Sequence, residues 1–198
     1  MYLPHPTYIW CLFLYKSPIR SGIIYDSLVF KVLYSLYLFN ILAGCFWGLE
    51  LAFQRVKGVA FTAVGYTHGE VEDPSYEAVC SGETGHAEAV TVLFDSAEVS
   101  YDELLEVFWA RHDPTQLNGQ GNDIGTQYRG GIYYHSEQQK NVAETSMENL
   151  QATLGKQLAT ELLPSTKFWL SEDYHQQYLE KGGQSAKKTA VEKIRCYG

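Results

Sequence analysis

From Phe46 onward the hydrophobic pattern of this chain keeps changing period, and that switching limits its fold more than any other feature. Phe46, Leu49, Phe53 and Val56 recur at three- or four-residue steps with Glu50, Gln54, Arg55 and Lys57 between them, which predicts an amphipathic helix ended by Gly58. Val59 to Tyr66 and Ala87 to Phe94 instead alternate, with β-branched and aromatic residues, and are expected strands. Asp73 followed by Pro74 starts a short helix that carries Tyr76 and ends at Ser81-Gly82. Ser100 and Glu103 stand at capping-box spacing ahead of Leu104, Leu105, Phe108 and Trp109. Tyr128 to Tyr134 gives another strand. Ser136 and Gln139 then open a helix whose apolar stripe is Ala143, Met147, Leu150 and Leu154 and whose stop is Gly155. Lys156 to Leu163 is extended, Pro164 breaks it, and Ser171 starts a last short helix with Tyr174, His175 and Tyr178. Strands and helices that alternate without long parallel repeats predict an α+β fold, a two-layer α/β sandwich with a mixed sheet and flanking helices.

At 198 residues the length suits one domain. With 15 basic and 23 acidic residues the formal charge is -8, which argues against nucleic acid or an anionic membrane as a partner. Four widely spaced cysteines, Cys11, Cys45, Cys80 and Cys196, do not form the framework of a small secreted disulfide scaffold, so they are expected as thiols in a reducing compartment. Residues 1–36 are atypical, crowded with aromatics and sparse in charge. Val32 to Ala43 has the length of a signal core, yet Lys31 and Asn40 interrupt any run long enough to span a membrane. The domain is expected over 37–183, followed by a flexible tail over 184–198. The cytoplasm is the default compartment, with organelle or secretory targeting left open.

The chemistry is expected at Gly44-Cys45-Phe46-Trp47-Gly48. A thiol at the mouth of a helix meets unpaired backbone N–H groups and the positive end of the dipole, both of which favour the thiolate. Phe46 and Trp47 can wall an apolar pocket around the sulfur; the alternative is a buried structural cysteine among core aromatics. Glu88 shares its strand face with Val90, Val92 and Phe94, where a desolvated carboxyl is held toward its neutral form and suits a general acid. Its alternatives are the solvated strand end or an ion pair with Arg129. Thr115 to Gln127 is a long Gly/Asn/Gln-rich loop that carries Asp123, with Tyr128 just after it. In the bland view Asp123 is a turn residue and Tyr128 a strand aromatic.

The Gly-Cys-Phe-Trp-Gly stretch resembles the active-site signature of the type A peptide methionine sulfoxide reductases. The similarity continues through Val64-Gly65-Tyr66, Tyr76 to Gly82, Thr84-Gly85-His86-Ala87-Glu88-Ala89-Val90, Gly121 to Arg129, and Tyr174 to Leu179. The resemblance implies thiol-dependent reduction of methionine (S)-sulfoxide, free or in proteins, as repair of oxidative damage. Cys45 would attack sulfur, Glu88 protonate oxygen, Tyr76 and Tyr128 hydrogen-bond that oxygen, and Asp123 order water or Tyr128. Phe46 and Trp47 would hold the S-methyl group. Cys196 would resolve the sulfenic acid to a disulfide, and thioredoxin or another dithiol would reduce it; no bound cofactor or metal is implied, and the chain is expected to be a monomer. From Gly183 the tail spans at most about 43 Å, enough to bring Cys196 to Cys45, and Lys193 and Arg195 are cationic neighbours that favour its thiolate. Cys80 is taken as structural. Rival assignments are a cysteine hydrolase with His86 or His175 as base, a non-catalytic peptide-binding module, a metal site from His68, His86, Glu88 and Asp123, and a lipidated cysteine, since Leu42-Ala43-Gly44-Cys45 also resembles a lipobox.

Overall fold

The computed structural model describes residues 36–196. Nearly all of the atypical N-terminal segment, with Cys11, lies outside the described residues. The elements run β1 (Leu36–Ala43), α1 (Phe46–Gln54), β2 (Val59–Thr67), α2 (Tyr76–Cys80), β3 (Ala87–Asp95), α3 (Tyr101–Trp109), a two-residue hairpin of β4 (Gly119–Gln120) and β5 (Asp123–Ile124), a 3-10 turn (Thr126–Tyr128), β6 (Gly130–Tyr134), α4 (Glu137–Leu154), β7 (Glu161–Pro164), β8 (Phe168–Leu170) and α5 (Tyr178–Lys181).

Among the described residues, six strands form one mixed sheet in the order β7-β6-β1-β3-β2-β8. All neighbours are antiparallel except β6 and β7. The main core fills one face: Phe39, Ile41, Val64, Tyr66, Val90, Val92, Phe94 and Ile132 of the sheet pack on Phe46, Leu49 and Phe53 of α1, Leu104, Leu105 and Phe108 of α3, and Ala143 of α4. Each such side chain contributes about 2 kcal/mol by leaving water. A smaller cluster of Leu42, Ala87, Ala89, Tyr133 and Phe168 covers the other face. The alternation expected for β3 therefore holds, and Glu88 falls on the main core side, opposite Tyr66 in the strand register.

The start signals are partly as expected. Ser100 and Glu103 form a reciprocal capping box, Ser136 caps α4, and Gly155 ends α4 in the left-handed conformation at φ 63°. At α2 the cap is Ser75, whose hydroxyl accepts from Ala78 N; Asp73 is not the cap but a left-handed turn residue at φ 48°. The α4 stripe is core only at Ala143 and Met147, because the helix outruns the sheet and leaves Leu154 exposed. Tyr128 closes the 3-10 turn and is not a strand residue, and Lys156 to Thr160 carry no strand. Tyr174 and His175 sit in turns ahead of α5, which begins only at Tyr178. The β8 strand has no counterpart in the sequence prediction.

The largest departure is α1. It ends at Gln54, and Gly48, Glu50, Leu51 and Ala52 are buried along with Phe46, Leu49 and Phe53. Its expected solvent side is covered by α5 and the C-terminal tail. The tail expected to be flexible has no regular element from 184 on but is tied to α1: Arg55 Nε donates to Ser185 O at 2.8 Å, Thr189 N to Arg55 O at 2.9 Å, and Lys188 Nζ to Gln54 O and Val59 O at 2.7 and 2.8 Å. No helix among the described residues is long and apolar enough to cross a membrane.

Candidate active site

The turn between β1 and α1 depends on Gly44. Its φ is +76°, and an added Cβ would lie 2.5 Å from Gln120 Cβ, so a side chain there has neither the backbone freedom nor the room. The turn leaves Cys45 at the N-cap of α1, with its side chain making no capping hydrogen bond. The first free N–H of the helix is instead satisfied by Glu88, whose Oε2 accepts from Phe46 N at 3.0 Å. A strand carboxyl thus stands at the helix mouth beside the thiol.

Burial pushes the Glu88 carboxyl up to about 8; the charge of Asp123 adds to this, and the Phe46 N–H opposes it. Arg129, considered from sequence as its ion-pair partner, binds Glu161 instead, at 2.8 Å. The Cys45 thiol is also pushed up, by burial first and then by Glu88, against the pull of the Trp47 N–H. The expectation of a depressed thiol therefore fails for the resting site. The helix end is a weak field, Glu88 already occupies its first N–H, and desolvation outweighs both.

Phe46 and Trp47 face an aromatic wall. Trp47 stacks on Tyr178 with centroids 4.0 Å apart, and its Nε1 donates to His175 Nδ1 at 3.2 Å. The His175 ring lies 5.3 Å from Phe46 and 4.4 Å from Tyr76. Glu172 holds this wall to the core by accepting from Tyr66 OH at 2.8 Å and Tyr76 N at 2.9 Å. The hydroxyls of Tyr76 and Tyr128 both lie toward the Cys80 thiol and pull its pKa down against burial. Burial and the Glu88 charge raise both tyrosines, so each keeps its proton and is a donor. Cys80, taken as structural from sequence, is thus a neighbour of two candidate site groups.

Cys196 is brought to the same helix. A Cβ on Gly48 would lie 2.4 Å from Cys196 Sγ, and the Gly48 N–H favours the thiolate of that sulfur. Burial raises this thiol as well, opposed by Arg111 and reinforced by Asp123. The cation set against it is Arg111, where sequence pointed to Lys193 and Arg195. Asp123, on β5, bears on Glu88, Cys45 and Cys196 together. All eight expected site residues are therefore gathered around the N-terminal turn of α1.

The rival assignments fare differently. His86 is committed on both ring nitrogens, Nδ1 accepting from Gly69 N at 3.1 Å and Nε2 meeting Val71 O at 2.8 Å. His68 stacks on Tyr133 at 3.6 Å. Among the described residues no three His, Cys, Asp or Glu side chains converge as a metal ion requires. Sequence reasoning missed Glu50, Glu172 and Arg111. Glu50 and Arg111 carried no signal because Gln177, just ahead of α5, and Cys196 of the tail meet them from far off in the chain.

The family model described as peptide methionine sulfoxide reductase matches residues 39–196, nearly all of the described domain. The chain belongs to the peptide methionine sulfoxide reductase family. It is 58% identical over 161 residues, 79% of its own length and 62% of the relative's, to peptide methionine sulfoxide reductase A4, chloroplastic, of Arabidopsis thaliana. It spans about three-fifths of the length of the first curated relatives it matches. Among solved structures, reduced Mxr1 from Saccharomyces cerevisiae superposes with TM-score 0.72 at 34% identity, covering 85% of this chain and 94% of that one. Methionine sulfoxide reductase A of Corynebacterium diphtheriae gives 0.69 at 34%, covering 82% of each chain. The α+β fold of the chain, with its mixed sheet and flanking helices, is the fold of these solved relatives.

Proposed function

We propose that this family member reduces methionine (S)-sulfoxide, free or in proteins, to methionine with its own thiols. The observation that carries the reading is the Glu88 carboxyl, buried on the first N–H of the Cys45 helix and, at about 8, protonated at neutral pH. Glu88 gives its proton to the sulfoxide oxygen, and the carboxylate left behind takes the proton of the Cys45 thiol. Nucleophile and electrophile are thereby activated together, which offsets the high resting pKa of the thiol. Cys45 sulfur gains the oxygen as sulfenic acid, the substrate S–O bond breaks, and the sulfoxide leaves as thioether two electrons richer. Tyr76 and Tyr128 hydrogen-bond the oxygen as it gains basicity, and the charge of Asp123 helps keep Glu88 and Tyr128 protonated. Phe46 and Trp47 take the S-methyl group.

Cys196 then condenses with the sulfenic acid, releasing water, and a thioredoxin-type dithiol reduces the disulfide. Relatives named chloroplastic favour a plastid over the cytoplasmic default. The test is to incubate the pre-reduced protein with methionine (S)-sulfoxide and no external reductant, then measure methionine and map thiols by mass. One methionine per chain with a Cys45 to Cys196 disulfide is expected. Folded protein that forms no methionine would sink the reading, and methionine with Cys196 still reduced would remove Cys196 from it.

A further inference from the structure

Arg111 follows the last turn of α3, its N–H donating to Phe108 O at 3.0 Å, and its side chain reaches back to the first turn of α1. An added Cβ on Gly48 would lie 3.4 Å from Arg111 Nη2 and 2.4 Å from Cys196 Sγ, so guanidinium and thiol crowd one bare patch of that helix. Arg111 Nε is buried and has no hydrogen-bond partner among the described residues. A cation buried short of acceptors gains from an anion beside it. Besides Asp123, whose charge bears on Cys196, an anion within reach is the thiolate that the recycling step creates.

We propose that Arg111 is a positioning residue of that step: its guanidinium gathers Cys196 onto the open face of Gly48 and stabilises the thiolate that attacks oxidised Cys45. The proposal rests on the reductase reading. Cys196 sulfur attacks Cys45 sulfur, the S–S bond forms as the S–O bond breaks, and the hydroxyl leaves as water with the proton that the Cys196 thiol gives up. No outside oxidant is needed, because the sulfoxide has already oxidised Cys45. The groups facing Cys196 compete: the Arg111 cation and the Gly48 N–H favour its thiolate, while burial and the charge of Asp123 oppose it.

The test follows disulfide formation in the full chain, pre-reduced and given methionine (S)-sulfoxide without reductant, in wild type, Arg111→Met and Arg111→Lys across a pH series. Losing the cation raises the thiol pKa. Each unit costs about tenfold in thiolate at neutral pH and returns about threefold in intrinsic nucleophilicity, so Arg111→Met should be about threefold slower per unit. Above both thiol pKa values the order should reverse, so that the two pH profiles cross. Arg111→Lys, which keeps the charge, should stay close to wild type. Coincident profiles would make Arg111 a bystander, and a slowing by one factor at every pH would make it a packing residue; either overturns the proposal. Methionine in the same quench counts the sulfenic acid formed. Its absence from wild type would overturn the reductase reading and this proposal with it, whereas its presence beside unchanged disulfide kinetics would strike the Arg111 assignment alone.

Discussion

In the proposed step Glu88 acts in its protonated form, and burial holds it at about 8, so the sign of the pH dependence that step predicts is fixed. The single-turnover rate of methionine formation should be level below neutrality and fall about tenfold per pH unit above that value. Glu88→Gln keeps an acceptor for Phe46 N but has no proton to give, and should lower the rate about 10² to 10⁴-fold with that limb abolished. Rapid-quench methionine assays over the pH series decide it. A rate that rises with pH would mean that thiolate formation, not protonation of oxygen, governs the step. Removing one hydroxyl, in Tyr76→Phe or Tyr128→Phe, should cost about 10²-fold, read in the same assay. The buried face of Glu88 was legible in the sequence because strand alternation fixes the face of a side chain wherever the strand lies. The state of Cys45 was not: it is set by how much chain covers the sulfur and by a carboxyl 43 positions away.

The same contrast recurs for helix α1. Its apolar stripe was legible, and Phe46, Leu49 and Phe53 do face the core. Its far side read as solvent, yet Glu50 is buried and accepts from Thr62 Oγ1 at 3.2 Å, Gln177 N at 2.9 Å and Gln177 Nε2 at 3.2 Å. Local periodicity describes one helix and cannot register a second layer. Through Gln177, Glu50 fixes the turn that presents His175 and Tyr178 to Trp47. Burial raises Glu50 to about 7, opposed by its three hydrogen bonds. Its folded pKa stands above the unfolded value, so its contribution to stability is complete below about 4.5 and is lost as pH rises through about 7. Urea unfolding of wild type and Glu50→Gln should therefore shift in favour of the variant, by up to about 3 kcal/mol, between about pH 5 and about pH 8. A stability difference constant with pH would mean that Glu50 is ionised throughout.

At the scale of the whole molecule, the C-terminal tail is both a structural cover and the carrier of the second thiol. Composition marked it as polar and reach allowed Cys196 to find Cys45, but neither reveals that Arg55, Gln54 and Val59 bind the tail backbone and Lys188 along the way. Gln184 closes the path by pairing both ways with Arg195, at 2.6 and 2.9 Å, which brings the next residue, Cys196, over Gly48. If holding and recycling are one device, they should fail together. A chain ending at 183 loses these bonds and uncovers α1, so its unfolding free energy should fall by about 3 kcal/mol in urea titration. Given sulfoxide without reductant, it should still make methionine but stop at sulfenic acid on Cys45, trapped by a dimedone mass tag. Gly48→Ala separates the two roles: its methyl occupies the place of the Cys196 sulfur, so the disulfide formed per methionine should drop while the contacts of Arg55 and Lys188 keep the tail bound. Loss of stability without loss of disulfide in Gly48→Ala would show that Cys196 reaches Cys45 from some other position, with the tail released.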